Sequence, residues 1–431
     1  MNKKIIKKIQ YAIEFKLASP LCISSGSDDI TDSDVQRDGQ GKPFIPGTSM
    51  AGAMRGYLTE IADADDVKKI FGYSDSEDGI MSRILVSDFS FISEPVIGVR
   101  DGVALKNKLA VDGSKYDMEI VETGAVCRGY LLLNVRQDDD AESFEDMIKL
   151  CLNGMDQGDI RLGANKNRGF GQLKLTQVHA KAFDAANISE WLGMDREALF
   201  DDEKSVLDYS QVEPMDSKYV TIQIPLKLKG GISIRKYSVK PNQPDYEHIS
   251  CNNMPIIPGS SWNGAIRSRV YNILNELGVN AAEWINEWFG YVNKSEARQS
   301  MIVIEESIIE NGKYIAMTRN SVNRFDGSAR TGALYTEKTN VGGSMNLVIK
   351  VRKNYYDDRQ KLQKDQQIKY EPIVGMLLVA AMDIQNGYLA VGGQTAVGRG
   401  IFEADGPIVL TGTDKNAEYY ISTIGSIKEV R

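Results

Sequence analysis

The sequence predicts an α+β chain of two tandem domains, each built on the element order β-α-β-β-α-β. Three observations carry this reading. Short motifs recur in one order along both halves. Apolar residues switch between period two and helical spacing at matching points of each half. The length, 431 residues, suits two ordinary domains better than one. The repeat decides the matter. "IPGTSMAGAMR" at Ile45–Arg55 pairs with "IPGSSWNGAIR" at Ile257–Arg267, with Pro46 and Pro258 separated by 212 positions. "IFGY" ending at Tyr73 pairs with "WFGY" ending at Tyr291, a separation of 218. "ILVSD" at Ile84–Asp88 then falls on "IVIEE" at Ile302–Glu306, and "VRDGVALKNKLAVDG" from Val99 resembles "TRNSVNRFDGSARTG" from Thr318, with Arg100 facing Arg319. Last, "LGANKNRGFG" at Leu162–Gly171 matches "VGGQTAVGRG" at Val391–Gly400, keeping one glycine spacing at a separation of 229. Five collinear matches whose separation grows slowly mark a tandem duplication.

The elements follow in order. Each copy opens with a strand: Tyr11, Ile13, Phe15 and Leu17 alternate with Ala12, Glu14 and Lys16, as Val220, Ile222, Ile224, Leu226 and Leu228 do with Thr221, Gln223 and Lys227. A polar loop leads into the proline-glycine turn and a helix. Its apolar stripe is Met50, Met54, Tyr57, Leu58 and Ile61 in copy one, and Trp262, Ile266, Val270, Ile273 and Leu274 in copy two. "RILVSDFSFI" and "MIVIEESII" read as strand-like runs. The polar excursions Arg100–Gly124 and Arg319–Gly343 come next, with Lys106, Lys108, Lys115, Arg324, Arg330 and Lys338 among turn formers. They are either surface insertions without order or β-hairpin arms over a bound strand; their matching positions favour arms. A strand ("GYLLLNV", "SMNLVIKV"), a second helix (Phe144, Met147, Ile148, Cys151 and Leu152; Ile373, Met376, Leu377 and Ala380), the glycine loop and a last strand close each copy. This is the ferredoxin-like or RRM-like pattern. The acidic stretch "FDDEKSVLDYSQVEPMDSKY" reads as a linker, cut near Met215 into domains 1–215 and 216–431.

Composition narrows the function. The net charge is −8, with 51 Lys and Arg against 59 Asp and Glu, which counts against free-standing nucleic-acid binding but not against a basic groove within an assembly. Four scattered cysteines (Cys22, Cys127, Cys151 and Cys251) without a CxxC pair argue against a zinc site and fit a reducing cytoplasm. Two histidines, His179 and His248, exclude a histidine-rich metal centre, and neither lies in a nucleophile motif. No apolar run spans a bilayer, so no membrane partner is expected, and the first residues do not read as a secretory signal.

Four features could carry chemistry. Thr48, Ser49, Ser260 and Ser261 either cap helices or, with Arg55 and Arg267 near the face edge, line a helix N-terminus that takes a phosphate. Gly163, Gly169 and Gly171, and Gly392, Gly398 and Gly400, either permit left-handed turns or admit a phosphodiester chain, with Lys166, Arg168 and Arg399 adding charge. The acidic loops hold Asp28, Asp29, Asp32, Asp34 and Asp38, then Asp245 and Glu247. Asp32 and Asp245 hold near-equivalent places before the turns. Such carboxylates solvate a loop, hold a divalent metal beside RNA, or accept a proton from a 2′-hydroxyl. The arms are the fourth feature.

These motifs, "FIPGTSMAGAMRG" and "IIPGSSWNGAIRSR", the "FGY" segments, the arms, "LGANKNRGFGQL" and "VGGQTAVGRGIF", resemble the RAMP superfamily, and within it the backbone subunits of type III CRISPR effector complexes. The resemblance covers nearly the whole chain, once per half, as in subtypes built from fused subunits. It implies RRM-like cores with hairpin thumbs, a guide CRISPR RNA held along them, complementary target RNA paired to it, and other type III subunits as partners. It also implies metal-dependent target cleavage, with Mg2+ as the ion, at Asp32 and Asp245. Guide contacts carry over to Thr48, Ser49, Arg55, Ser260, Ser261 and Arg267, to Gly163, Lys166, Arg168, Gly169, Gly392, Gly398 and Arg399, and to Arg100, Arg319 and Arg324. Where family members often carry lysine in the turn-helix, this chain has Ala51, Ala53 and Asn263. A purely structural guide scaffold is the alternative, and a guide-processing endonuclease using His179 is a third.

Overall fold

The computed structural model describes residues 4–24, 31–74, 79–106, 109–212, 217–237, 244–292, 297–354 and 369–428. They divide into two compact units, Met1–Lys166 with Phe170–Met215, and Asn167–Gly169 with Asp216–Arg431. Asp28, Asp29, Lys108, the side chain of Lys106 and the cut at Met215 lie outside the described residues.

The first unit runs β1 (Ile5–Leu17), α1 (Gly47–Ile61), α2 (Ala64–Phe71), β2 (Ile84–Val86), β3 (Phe89–Phe91), β4 (Ile97–Lys106), β5 (Leu109–Val121), β6 (Val126–Arg136), α3 (Ala141–Asp156) and β7 (Leu173–Phe183). Its sheet has the order β7-β1-β6-β3, with β2 also against β6, and every pairing is antiparallel. Alternation along β1 decides which residues face the helices. Tyr11, Ile13, Phe15 and Leu17 are buried in the core beside Met50, Met54, Tyr57 and Leu58 of α1 and Phe144, Ile148, Cys151 and Leu152 of α3. Each such side chain contributes roughly 1.5–3 kcal/mol by burial.

The second unit repeats the plan: β8 (Tyr219–Lys229), β9 (Arg235–Tyr237), β10 (Tyr246–His248), α4 (Gly259–Glu276), α5 (Ala281–Phe289), β11 (Ile302–Ile304), β12 (Lys313–Arg319), β13 (Tyr335–Val341), β14 (Ser344–Arg352), α6 (Glu371–Gln385), β15 (Ile401–Ala404) and β16 (Val409–Thr411). Its sheet order, β11-β14-β8-β15 with β16 also on β8, is that of the first. Trp262 takes the place of Met50 in the core, against Phe402 of β15. Both units have the ferredoxin-like arrangement. Both arms are hairpins, but each opens before the excursion read from sequence, the second by a whole strand: β4 pairs with β5 from Ile97↔Val121 to Lys106↔Leu109, and β12 with β13 from Lys313↔Val341 to Arg319↔Tyr335.

Four local expectations change. Proline, not serine or threonine, caps α1 and α4: Pro46 and Pro258 are the N-caps, and neither cap residue closes its helix with a side-chain bond. "RILVSDFSFI" is two strands, because the Ser87 hydroxyl takes the Tyr130 amide and breaks the ladder between β2 and β3. The short helices α2 and α5 precede the "FGY" segments; α2 is capped by the Asp63 carboxylate, which accepts from the amides of Asp65 and Asp66. The segment read as a linker begins inside the first unit. Phe200 and Ser205 are buried against the sheet face of β1, β6 and β7, beside Ala12, Tyr130 and His179, because one phenyl ring in an acidic stretch outweighs its polar neighbours.

Candidate nucleic-acid interface

The loop before each proline-glycine turn is fastened to the second strand of its own arm. In the first unit, the Asp32 amide donates to Asp117 Oδ1 at 3.0 Å, and the Asp117 amide donates to Asp32 Oδ2 at 3.0 Å. Around this pair, the Glu119 amide donates to the Ser33 carbonyl, and the Glu119 carboxylate accepts from the Val35 amide and from Arg37. Asp34, buried, accepts from the amide and hydroxyl of Thr31 and so shapes the turn rather than facing solvent. In the second unit Asp245 Oδ2 accepts the Thr336 amide at 2.8 Å. Asp117 and Thr336 stand 219 positions apart, as do Arg100 and Arg319. Asp32 and Asp245 therefore occupy the same place, exposed beside the second strand of an arm. Sequence spacing left the second register loose because its loop is shorter; a shared backbone partner fixes it.

The turn-helix presents a partly filled N-terminus. The Gly47 amide donates to Asp88 Oδ1 at 2.8 Å, and the amides of Ser49 and Met50 turn back to the Pro46 carbonyl, as Ser261 and Trp262 do to Pro258. What stays open is the Thr48 amide, which has no partner among the described residues, with the hydroxyls of exposed Thr48 and half-buried Ser49. Ser260 and Ser261 repeat that exposure. Arg55 is exposed and has no ion-pair partner among the described residues. Arg267 is half-buried over the Phe289 ring, and burial pushes its pKa down. The two arginines match in sequence but not in freedom.

The glycine loops bend alike: Gly163, Gly169 and Gly171, and Gly392, Gly398 and Gly400, all have positive φ, as do Asn165 and Gln394 between them. Each loop touches its arm. Asn165 Nδ2 lies 3.3 Å from Met118 Sδ, Arg319 Nη1 donates to Gln394 Oε1 at 3.2 Å, and Arg399 Nη2 lies 3.6 Å from Met317 Sδ. Lys166 is exposed and Arg168 half-buried in the turn Lys166–Arg168, while Arg324 is exposed beyond β12. Arg100 differs from expectation: it is buried and ion-paired with Glu122 at 3.4 Å, so it fastens the arm's root rather than meeting a ligand. The arms also differ in charge. Residues 97–121 hold four basic and four acidic side chains, whereas residues 313–341 hold five basic and two acidic ones.

Both histidines are buried. His179 Nδ1 meets the Ser205 hydroxyl at 3.0 Å, and His248 Nδ1 accepts the Ile234 amide, with burial holding its pKa at about 4. Neither is placed to act as a general base. All four cysteines are buried thiols outside any disulfide. Among the described residues no helix is long and apolar enough to cross a membrane.

A model of the RAMP superfamily matches residues 14–174 and 234–403, which take in both turns, both arms and both glycine loops. The chain belongs to the RAMP superfamily. No curated protein matches it. As a double RAMP protein it is a CRISPR-associated RNA-binding subunit, and each matched stretch holds both long helices of its unit.

Proposed function

We propose that this RAMP protein is a fused double backbone subunit of a type III CRISPR effector complex. It holds guide RNA on its turn-helices, glycine loops and arms, and cuts the paired target RNA at Asp32 and Asp245. One observation carries the cutting role: both loop aspartates are exposed beside an arm, each held by an amide of the arm's second strand. Arg55, Arg319, Arg324, Arg399, Lys166 and the open N-termini of α1 and α4 are the phosphate contacts. The cytoplasm is its compartment and other type III subunits are its neighbours.

The donor set suits a Mg2+ ion that binds with the RNA. Such an ion commonly keeps several waters and takes one or two protein carboxylates plus substrate phosphate oxygens. Asp32 in the first half and Asp245 in the second would hold it, and it would supply charge to the reacting phosphate. The purely structural reading has one observation in its favour: among the described residues no group of three or more His, Cys, Asp or Glu gathers to hold a metal. Asp32→Ala and Asp245→Ala, made separately in the assembled complex, decide between them. Each is expected to remove one set of target-RNA products. Survival of all products in both variants leaves a scaffold.

A further inference from the structure

The two halves hold their loop aspartates differently. Asp32 has two bonds to one residue: its amide to Asp117 Oδ1 and its Oδ2 to the Asp117 amide. That closed ring fixes both the backbone and the carboxylate of residue 32. Asp245 has one, from the Thr336 amide to Oδ2, and its own amide has no partner among the described residues. Threonine does not replace the missing acceptor, because the Thr336 hydroxyl is engaged across the arm with the Thr318 hydroxyl at 2.9 Å. The second loop gains support elsewhere, through the parallel pairing of β10 with β13, but that ladder begins at Tyr246 and leaves residue 245 outside it.

We propose that Asp117 is a positioning residue for Asp32, and that its absence from the second half makes the two halves unequal in their demand for divalent metal. This rests on the cutting role of the loop aspartates. A carboxylate whose backbone is already fixed loses less freedom when it engages a cation with the RNA. Asp117 acts through the acceptor it offers to the Asp32 amide, and a neutral side chain with the same oxygen preserves that.

The experiment uses the full chain in its assembled complex with guide and matched target, titrated with Mg2+ while the products of each half are followed separately. The wild type is expected to need less Mg2+ for the first-half product than for the second. Asp117→Ala is expected to raise the first-half midpoint roughly 2- to 10-fold, the worth of one hydrogen bond, and to leave the second-half product alone. Asp117→Asn, which keeps Oδ1, is expected to restore the wild-type midpoint. Hydrogen exchange of residues 31–35 without metal or RNA is a second readout, with protection lost in the alanine variant and kept in the asparagine one. Unchanged exchange and midpoint in Asp117→Ala, or equal losses in Asp117→Asn, overturn the proposal. If Asp32→Ala leaves the first-half product intact, the cutting role itself fails and the positioning role falls with it.

Discussion

Substituting Gly400 by alanine tests whether the glycine loop is a backbone device. Gly400 has φ +66, and a Cβ there would lie 1.8 Å from the Val391 carbonyl oxygen. Its amide donates to the Gly231 carbonyl at 2.8 Å and its carbonyl accepts the Val391 amide at 2.9 Å. Left-handed strain costs an alanine about 1–2 kcal/mol. Relieving the overlap parts the two chain segments and forfeits both hydrogen bonds, about 1 kcal/mol each. The expected cost is about 3–4 kcal/mol. Gly398 is the control, with φ +82 and no atom within 4 Å of its added Cβ, so only the strain of about 1–2 kcal/mol applies. For a unit of this size each kcal/mol shifts Tm by about 2–4 °C. Calorimetry of the full chain should show Gly400→Ala lowering the second unit's transition by about 6–16 °C, and Gly398→Ala by about 2–8 °C. Gly171→Ala, whose Cβ would lie 1.9 Å from the Leu162 carbonyl oxygen, should do to the first unit what Gly400→Ala does to the second. Equal shifts for Gly398→Ala and Gly400→Ala would refute the steric argument.

Three further outcomes follow from the same structure. His248 is held neutral at a pKa of about 4, below the usual 6.5. Its contribution is therefore complete above pH 6.5 and lost as pH falls towards 4, on the order of 3 kcal/mol; urea midpoints at pH 7 and 4 measure it, and His248→Gln should flatten the difference. Phe325 is 99% exposed beside Arg324, on a tip closed by the Asn323–Ser328 and Arg330–Ser321 backbone bonds, a shape suited to stacking on a base. Phe325→Ala should weaken RNA binding by about 1–3 kcal/mol and abolish quenching of a 2-aminopurine placed under the arm, while Phe325→Tyr should not. Arg55→Ala should lower the salt slope of guide binding by about one with little effect on stability, whereas Arg267→Ala should also destabilise the second unit by uncovering Phe289.

Sequence carried the fold because duplication supplies its own control: a motif seen twice in order separates pattern from chance. It also placed Asp32 and Asp245, since both precede the same turn. It could not find Asp117, which lies 85 residues from Asp32 and meets it only when the arm folds back. Nor could it separate Arg100 from Arg319. One is buried with Glu122 and the other reaches Gln394, a difference set by partners far along the chain. The helix caps misled for a local reason. A serine or threonine after Pro-Gly looks like an N-cap, yet the proline's fixed φ already ends the extended approach, and Pro46 and Pro258 take the role with their own carbonyls. Phe200 was hidden by composition, being followed at once by a run of charged residues.

Joining two arms in one polypeptide gives each an address. In an assembly of identical copies, a change at one residue alters every position at once. Here Asp117 exists only in the first arm and Phe325 only in the second. Each can drift, or be engineered, without touching its twin. The duplication thus turned a repeat into an ordered pair.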